Sequence, residues 1–410
     1  MRIKFKVDSI IKRFGKLIFS FPGVFLLLVA AITSSCDQTP ALSYSLPKGG
    51  SSLKFRLNRD AQSGGYFLTG KREIIDAMGR AIMIPAEVDR VICSGSGCLR
   101  MLTYLDAHDR IVAVDGIEVK GSPIDARPYA IANQQFRNYP VFGEFRGYDN
   151  PELIAGLDPR PEVILKMRSG GANDPELLQK KTNIPVVTLD YGNLTHNREL
   201  FYTNLRLMAE VVGKQQRAEE VISYIEDLIS DIKARASVSS KITCYIGGLA
   251  QGGPHGIQST DPSYAPFDFL GLKNVAGQGR VSDPVSYMNI SKEQIIISDP
   301  DVIFIDISTL RLGAEMNALE QLRRDPSLRG LSAVKNKQIY GLFPNFSYNQ
   351  NMEVVLANAY YIGTIIYPDR FHDIDPIEKA EEISVFFNGG PSFGILNQMF
   401  GDTGFTKISL

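Results

Sequence analysis

Residues 214–236 read KQQRAEEVISYIEDLISDIKARA, and they break the rhythm of the chain around them. Val221, Ile222, Ile225, Leu228, Ile229 and Ile232 fall on one helical face. A helix of that length would run about 35 Å at 1.5 Å per residue, enough to bridge two bodies lying side by side. A second helical block begins at 197 and ends at Gly213-Lys214. On either side of this interruption, strand and helix patterns alternate. Apolar runs suited to buried parallel strands occupy 88–94, 110–114, 162–167, 184–190, 241–247, 301–307 and 337–343. Helical patterns lie between them at 97–106, 150–157, 173–182, 291–297 and 350–366. Such alternation gives α/β layers with right-handed crossovers.

The two halves also echo each other. Residues 151–165 read PELIAGLDPRPEVIL and residues 291–305 read SKEQIIISDPDVIFI. In each, a Glu stands seven residues before a Pro (Glu152 to Pro159, Glu293 to Pro300), and Asp-Pro leads toward a buried strand. The expectation is two similar α/β lobes joined by one long helix. Ahead of them, REIIDAMGRAIMIP (72–85) predicts two short strands around Ala77-Met78-Gly79.

With 410 residues, 44% hydrophobic and 22% charged, the composition is that of a globular protein of two or three domains. That excludes disordered, collagen-like and many-pass membrane classes. The net charge of −1 points away from nucleic acid. The first 35 residues carry six Lys/Arg against one Asp, leaving 38 basic and 44 acidic residues in a mildly acidic body. Residues 1–16 are cationic and 17–32 almost wholly apolar, short of the roughly 20 residues a spanning helix needs. Ile32-Thr33-Ser34-Ser35-Cys36 resembles a bacterial lipoprotein cleavage box. Residues 1–35 therefore read as a signal peptide with lipidation at Cys36; the alternative is an uncleaved signal anchor. Residues 36–69, rich in Ser, Gly, Pro, Asn and Gln, read as a flexible tether with one short strand at 53–57. Cys93, Cys98 and Cys244 read as small buried hydrophobes, although Cys93 and Cys98 are close enough in sequence to bridge.

Taken together, the entry IIDAMGRAIMIPAEVDRVICSG, the paired elements ELIAGLDPRPEVIL and KEQIIISDPDVIFI, and the long helix resemble the substrate-binding proteins of ABC importers for iron complexes, haem and vitamin B12. The likeness covers roughly residues 70–390. It departs from the family pattern at the inserted Arg160-Pro161 and at Glu162, where Asp is usual. The resemblance implies two Rossmann-like lobes, at 70–212 and 239–400, joined by a single long rigid helix at 213–238, with a ligand cleft between the lobes. It also implies that Glu152 and Glu293 dock onto the two subunits of a permease, which works with its ATPase.

Ligands of open α/β sheets sit beyond the carboxyl ends of strands. Those ends supply the candidate cleft residues Ser96, Arg146, Arg168, Tyr191, His255, Arg311 and Tyr348. Arg and Tyr among glycine-rich loops suit a bulky anionic chelate; the bland alternative for each Arg is a solvated surface position. Rival readings fare less well. Four dispersed His (His108, His196, His255, His372) do not make a metal cage. GxxxxGK[ST], HExxH and GxGxxG do not occur in the sequence. The SGSGC run at 94–98 would cap a helix or bind an anion. A purely structural lipoprotein does not account for the paired Glu elements. The expectation is therefore a monomeric, non-enzymatic, exported protein. It would be lipid-anchored at the periplasmic or extracellular face of the membrane, without a cofactor, delivering a ferric siderophore to an ABC permease. Vitamin B12 and haem are the alternative ligands, and an anion-binding enzyme is the remaining alternative.

Overall fold

The computed structural model describes residues 41–44, 53–59, 66–120, 125–168, 174–237, 240–277 and 287–410. The expected signal peptide, Cys36 and the strand-end residues 169–171 lie outside these. Strands β1 (Ala41–Tyr44), β2 (Leu53–Arg59), β3 (Tyr66–Ile75) and β4 (Ala81–Pro85) form an antiparallel sheet in that order. Three of them reach into 36–69, where a tether is expected. The alternation of Leu53, Phe55 and Leu57 with Lys54, Arg56 and Asn58 has the period of a strand, and β2 pairs along its whole length with residues 66–72 of β3. The hairpin between β3 and β4 turns at Gly79, whose φ of +74° suits glycine. Asp76 closes that turn by accepting the Met78 and Arg80 amides at 3.0 and 2.9 Å.

The first lobe is built on β5 (Val91–Ser94), β6 (Ile111–Asp115), β7 (Val141–Glu144), β8 (Tyr148–Asp149), β9 (Val163–Met167) and β10 (Val186–Leu189). Their order is β10-β9-β5-β6-β7-β8, parallel except for β8. The second lobe adds β11 (Thr243–Gly247), β12 (Ser259–Thr260), β13 (Lys273–Asn274), β14 (Met288–Asn289), β15 (Val302–Asp306) and β16 (Ile339–Leu342). Its main sheet is parallel, ordered β13-β11-β15-β16, with β12 and β14 paired beside it. β5, β9 and β15, interior strands of their sheets, are buried throughout, as their mainly apolar runs lead one to expect, and the edge strand β10 is buried as well. Lys166 on β9 is the exception in chemistry. Its buried ammonium pairs with Asp149 and reaches Gly147 O at 3.0 Å and Ser94 Oγ at 3.2 Å.

Helices α1 (Cys98–Tyr104), α2 (Pro151–Ala155), α3 (Arg198–Val212), α4 (Gln215–Arg235), α5 (Lys292–Ser298), α6 (Met352–Ile366) and α7 (Pro376–Asn388) carry the argument below. Gly213 ends α3 with a φ of +65°. α4 then starts after Lys214, lying in the chain between the two main sheets. Every residue of its expected apolar face is buried. Arg217, on its first turn, donates to Tyr104 O of α1 at 3.1 Å and also to Phe386 O of α7. One apolar cluster runs without a break from Val91 and Leu165 through Ile225 and Ile229 to Phe304 and Leu342. Beyond residue 400, the amides of Phe405 and Ile408 donate to Gly341 O and Ile339 O of β16 at 2.9 and 2.8 Å. Cys93, Cys98 and Cys244 are buried free thiols.

Candidate functional site

A cavity of about 480 Å³ opens where the two parallel sheets present their carboxyl ends, within the span of about 300–1,000 Å³ usual for ligand pockets. From the first lobe, Ser96 follows β5, Ile117 follows β6, and Phe145 and Arg146 follow β7. From the second, Gly252, Gly253 and Pro254 follow β11, Ser308 and Arg311 follow β15, and the 346–349 loop follows β16. Four of the seven expected cleft residues, Ser96, Arg146, Arg311 and Tyr348, thus share one cavity.

The other three stand elsewhere. Arg168 does not line the cavity: its guanidinium is half exposed and held by Asp190, with Nη2 to Oδ2 at 2.6 Å. Asp190 immediately follows the neighbouring strand β10, so the fold delivers a partner that sequence spacing does not reveal. His255 lines a separate recess with Gln258, Ser259, Asn289 and Gln321, its Nε2 lying 3.0 Å from Gln251 O. Tyr191 lies beside the cavity-lining loops, donating to Gln350 O at 2.8 Å. Gly97, at φ +88°, makes room for that ring: a Cβ there would stand 2.4 Å from a Tyr191 ring carbon.

Two buried aspartates support the loops. Asp306, last residue of β15, accepts the Ser308 amide at 2.9 Å, and burial pushes its carboxyl up to about 6. Asp115, last residue of β6, accepts the Tyr348 hydroxyl at 2.6 Å, while that hydroxyl accepts the Arg146 amide at 2.7 Å. Burial, with Glu118 alongside, pushes the Asp115 carboxyl up to about 8. That shift works against a negative charge at this edge of the cavity. Arg311 is exposed, and the Arg146 guanidinium lies 5.2 Å from the Phe145 ring centroid. The cavity thus combines cationic forks with the rings of Phe145, Phe346 and Tyr348, an arrangement that can hold a large anion with flat or apolar parts. Sequence reasoning passed over Asp115, though an acid closing an apolar strand run, as in RIVAVD and DVIFID, is a usable signal.

Glu152 and Glu293 occupy equivalent exposed places, on the first turns of α2 and α5. Asn150 caps α2 through the Glu152 and Leu153 amides at 3.0 and 3.1 Å, and Ser291 caps α5 through Gln294 at 3.2 Å. Two residues after each Glu, an Ile (Ile154, Ile295) is buried and fixes which face turns outward. Among the described residues no group of three or more His, Cys, Asp or Glu is placed to hold a metal ion, and no helix is long and apolar enough to cross a membrane.

Two α/β lobes with a solvent-open cavity at facing strand ends are the architecture of a solute-binding protein. The family model described as periplasmic binding protein matches residues 91–345, and the chain belongs to that family; its members are substrate-binding proteins, not enzymes. The chain is 24% identical over 195 residues to the iron-uptake system-binding protein of Bacillus subtilis, covering 46% of this chain and 57% of that protein. It is 21% identical over 331 residues to the molybdate-binding protein MolA of Haemophilus influenzae, covering 74% and 87%. A cobalamin-binding protein of Halobacterium salinarum is 23% identical over 255 residues, covering 60% and 61%. Among solved structures, a periplasmic solute binding protein from Veillonella parvula superposes with a TM-score of 0.59 at 18% identity, covering 80% of this chain and 96% of that one. At such identity this likeness speaks for the fold alone.

Proposed function

We propose that the chain is the lipid-anchored solute-binding protein of an ABC importer and captures an anionic iron chelate, a ferric siderophore or a close chemical relative. The observation that carries this reading is the convergence of Arg146 and Arg311, from opposite lobes, with three aromatic rings on one cavity of about 480 Å³. A bare oxyanion would leave most of that volume and the rings without contact. Vitamin B12 is the second reading, supported by the cobalamin-binding relative. In this proposal the lobes divide at 70–212 and 239–400, and α4 links them and limits their closure. Glu152 and Glu293 meet a permease dimer served by its ATPase, and Cys36 carries the lipid.

Calorimetric titration with ferric citrate and with ferric hydroxamate and catecholate siderophores tests the ligand. A charged hydrogen bond to a ligand is worth about 1.5–3 kcal/mol, so Arg311→Ala should weaken binding roughly tenfold or more. Arg168→Ala, whose partner is Asp190, should leave affinity unchanged. Absence of binding heat with every ferric chelate, or an unaltered Arg311→Ala, would overturn the assignment. For the anchor, Cys36→Ala should move the protein from the membrane to the soluble fraction or leave an unprocessed precursor. Fractionation and migration identical to the unsubstituted chain would remove lipidation from the account.

A further inference from the structure

Residues 346–350 follow β16 of the second lobe, yet many of the groups that hold them come from the first. Arg100, on α1, donates from Nη2 to Ser347 O at 2.6 Å and from Nη1 to Gln350 O at 3.1 Å and Tyr348 O at 3.3 Å. Tyr191 donates to the same Gln350 carbonyl at 2.8 Å. Asn349 Nδ2 donates to Ser96 O at 3.1 Å, and the Tyr348 hydroxyl donates to Asp115. The loop needs such restraint. Tyr348 and Asn349 are consecutive non-glycine residues with φ of +51° and +91°, a region that costs an L side chain energy and that tyrosine seldom enters.

Arg100 suits the task. Its side chain is fully buried, so three carbonyl oxygens receive charge-assisted bonds away from water, where such bonds are strong. The Tyr129 ring lies 5.0 Å from the guanidinium carbon and closes the other side of the group. A planar fork can hold the three carbonyls of Ser347, Tyr348 and Gln350 in one fixed geometry; a compact ammonium offers no such fork.

We propose that Arg100 is a positioning residue. It fastens the 346–350 loop to the first lobe and sets Phe346 and Tyr348 in the cavity wall, so this wall belongs mechanically to the lobe opposite the one it follows in sequence. The cavity is that of the proposed function, but the fastening does not depend on what fills it, and a test without ligand lets the two fail separately.

The chain contains no Trp, so Phe346→Trp gives a reporter of this loop alone and Leu310→Trp one of the 307–311 segment after β15, whose Ser308 and Arg311 form another part of the cavity wall. Adding Arg100→Gln to the first reporter should raise acrylamide quenching severalfold and shift emission to the red, with far-UV circular dichroism unchanged. Added to the second, it should change neither quantity. A merely structural role would loosen both walls together, and equal changes would overturn the proposal. Arg100→Lys should behave as Arg100→Gln; quenching equal to that of the unsubstituted arginine would refute the fork. Should the Arg100 variants fail to fold, hydrogen exchange on the unsubstituted chain decides. The Ser347 and Asn351 amides should be protected at the level of α1, and exchange as fast as that of residues 250–254 would sink the proposal.

Discussion

Glu152→Lys combined with Glu293→Lys should abolish solute uptake while leaving the affinity of the cavity for its ligand intact. Both side chains are exposed, and neither lines the cavity, so charge reversal there does not reach a bound solute. Nor should it unfold the chain, because the cost of a cation at a helix start is only about 0.3–1 kcal/mol each. The repeat places one acid on each lobe, at the same step of the same cap–helix–strand unit: α2 precedes the central strand β9, and α5 precedes the central strand β15. A partner with two-fold symmetry needs two such points, one per lobe. Charge pairs at an exposed rim mainly steer and orient, so capture of the unsubstituted protein by permease vesicles should weaken as salt rises. Transport at the unsubstituted rate in the double variant would end the docking assignment.

Arg127→Ala should cost about 3–5 kcal/mol of folding stability, the usual penalty for stranding a buried charge partner. The Arg127 guanidinium meets Asp125 twice at 2.8 Å and Glu118 at 2.9 Å, and all three residues are buried. Tyr129 donates to the second Glu118 oxygen at 2.7 Å. Burial already raises the Glu118 carboxyl, opposed chiefly by Arg127. Without that cation, the Glu118 carboxyl would titrate further above its unfolded value of about 4. A raised carboxyl binds a proton in the folded state that the unfolded chain has released, so stability falls as pH rises through that window. Urea unfolding should therefore show a larger loss at pH 8 than at pH 5. A loss below about 1 kcal/mol at both pH values would mean that the cluster is not held as described. The cluster also borders the cavity, because Ile117 and Ala126 beside it form part of the lining.

How much of this was legible in the sequence follows from range of interaction. Long apolar runs such as DVIFID became strands within three residues of their expected bounds, because burial on both faces leaves no other pattern. β7 was legible only at its end, where Gly143-Glu144-Phe145-Arg146 reads as a strand end; Val141 and Phe142 alone precede Gly143, too short a run to mark the strand itself. α7 went unread although Asp375 caps it and Pro376 opens it, a start signal present in the residues. In the site, the strand-end rule gathered Ser96, Arg146, Arg311 and Tyr348 because that rule is topological. It could not separate Arg311 from Arg168, since the partner of Arg168 arrives from a neighbouring strand. Arg100 was invisible for the opposite reason. An arginine inside CLRMLTY reads as the exposed side of a short helix, and only the returning 346–350 loop shows it to be buried.

The unbroken apolar cluster has a consequence for cooperativity. A two-lobed binding protein is often pictured as two bodies that could melt one at a time. Here Val91, Ile225 and Phe304 belong to one packed cluster that joins the two sheets, while the opposite faces of the same strands pack in two smaller clusters of their own, so neither sheet can lose its packing on the shared face without disturbing the other. Adjacent regions that share a core tend to open as one unit, and all-or-none behaviour then extends across both lobes. Damage at Arg127, in the segment between β6 and β7, is thereby charged to the whole molecule. A solute held between the lobes likewise stabilises both at once, because no partly melted form is left for it to ignore.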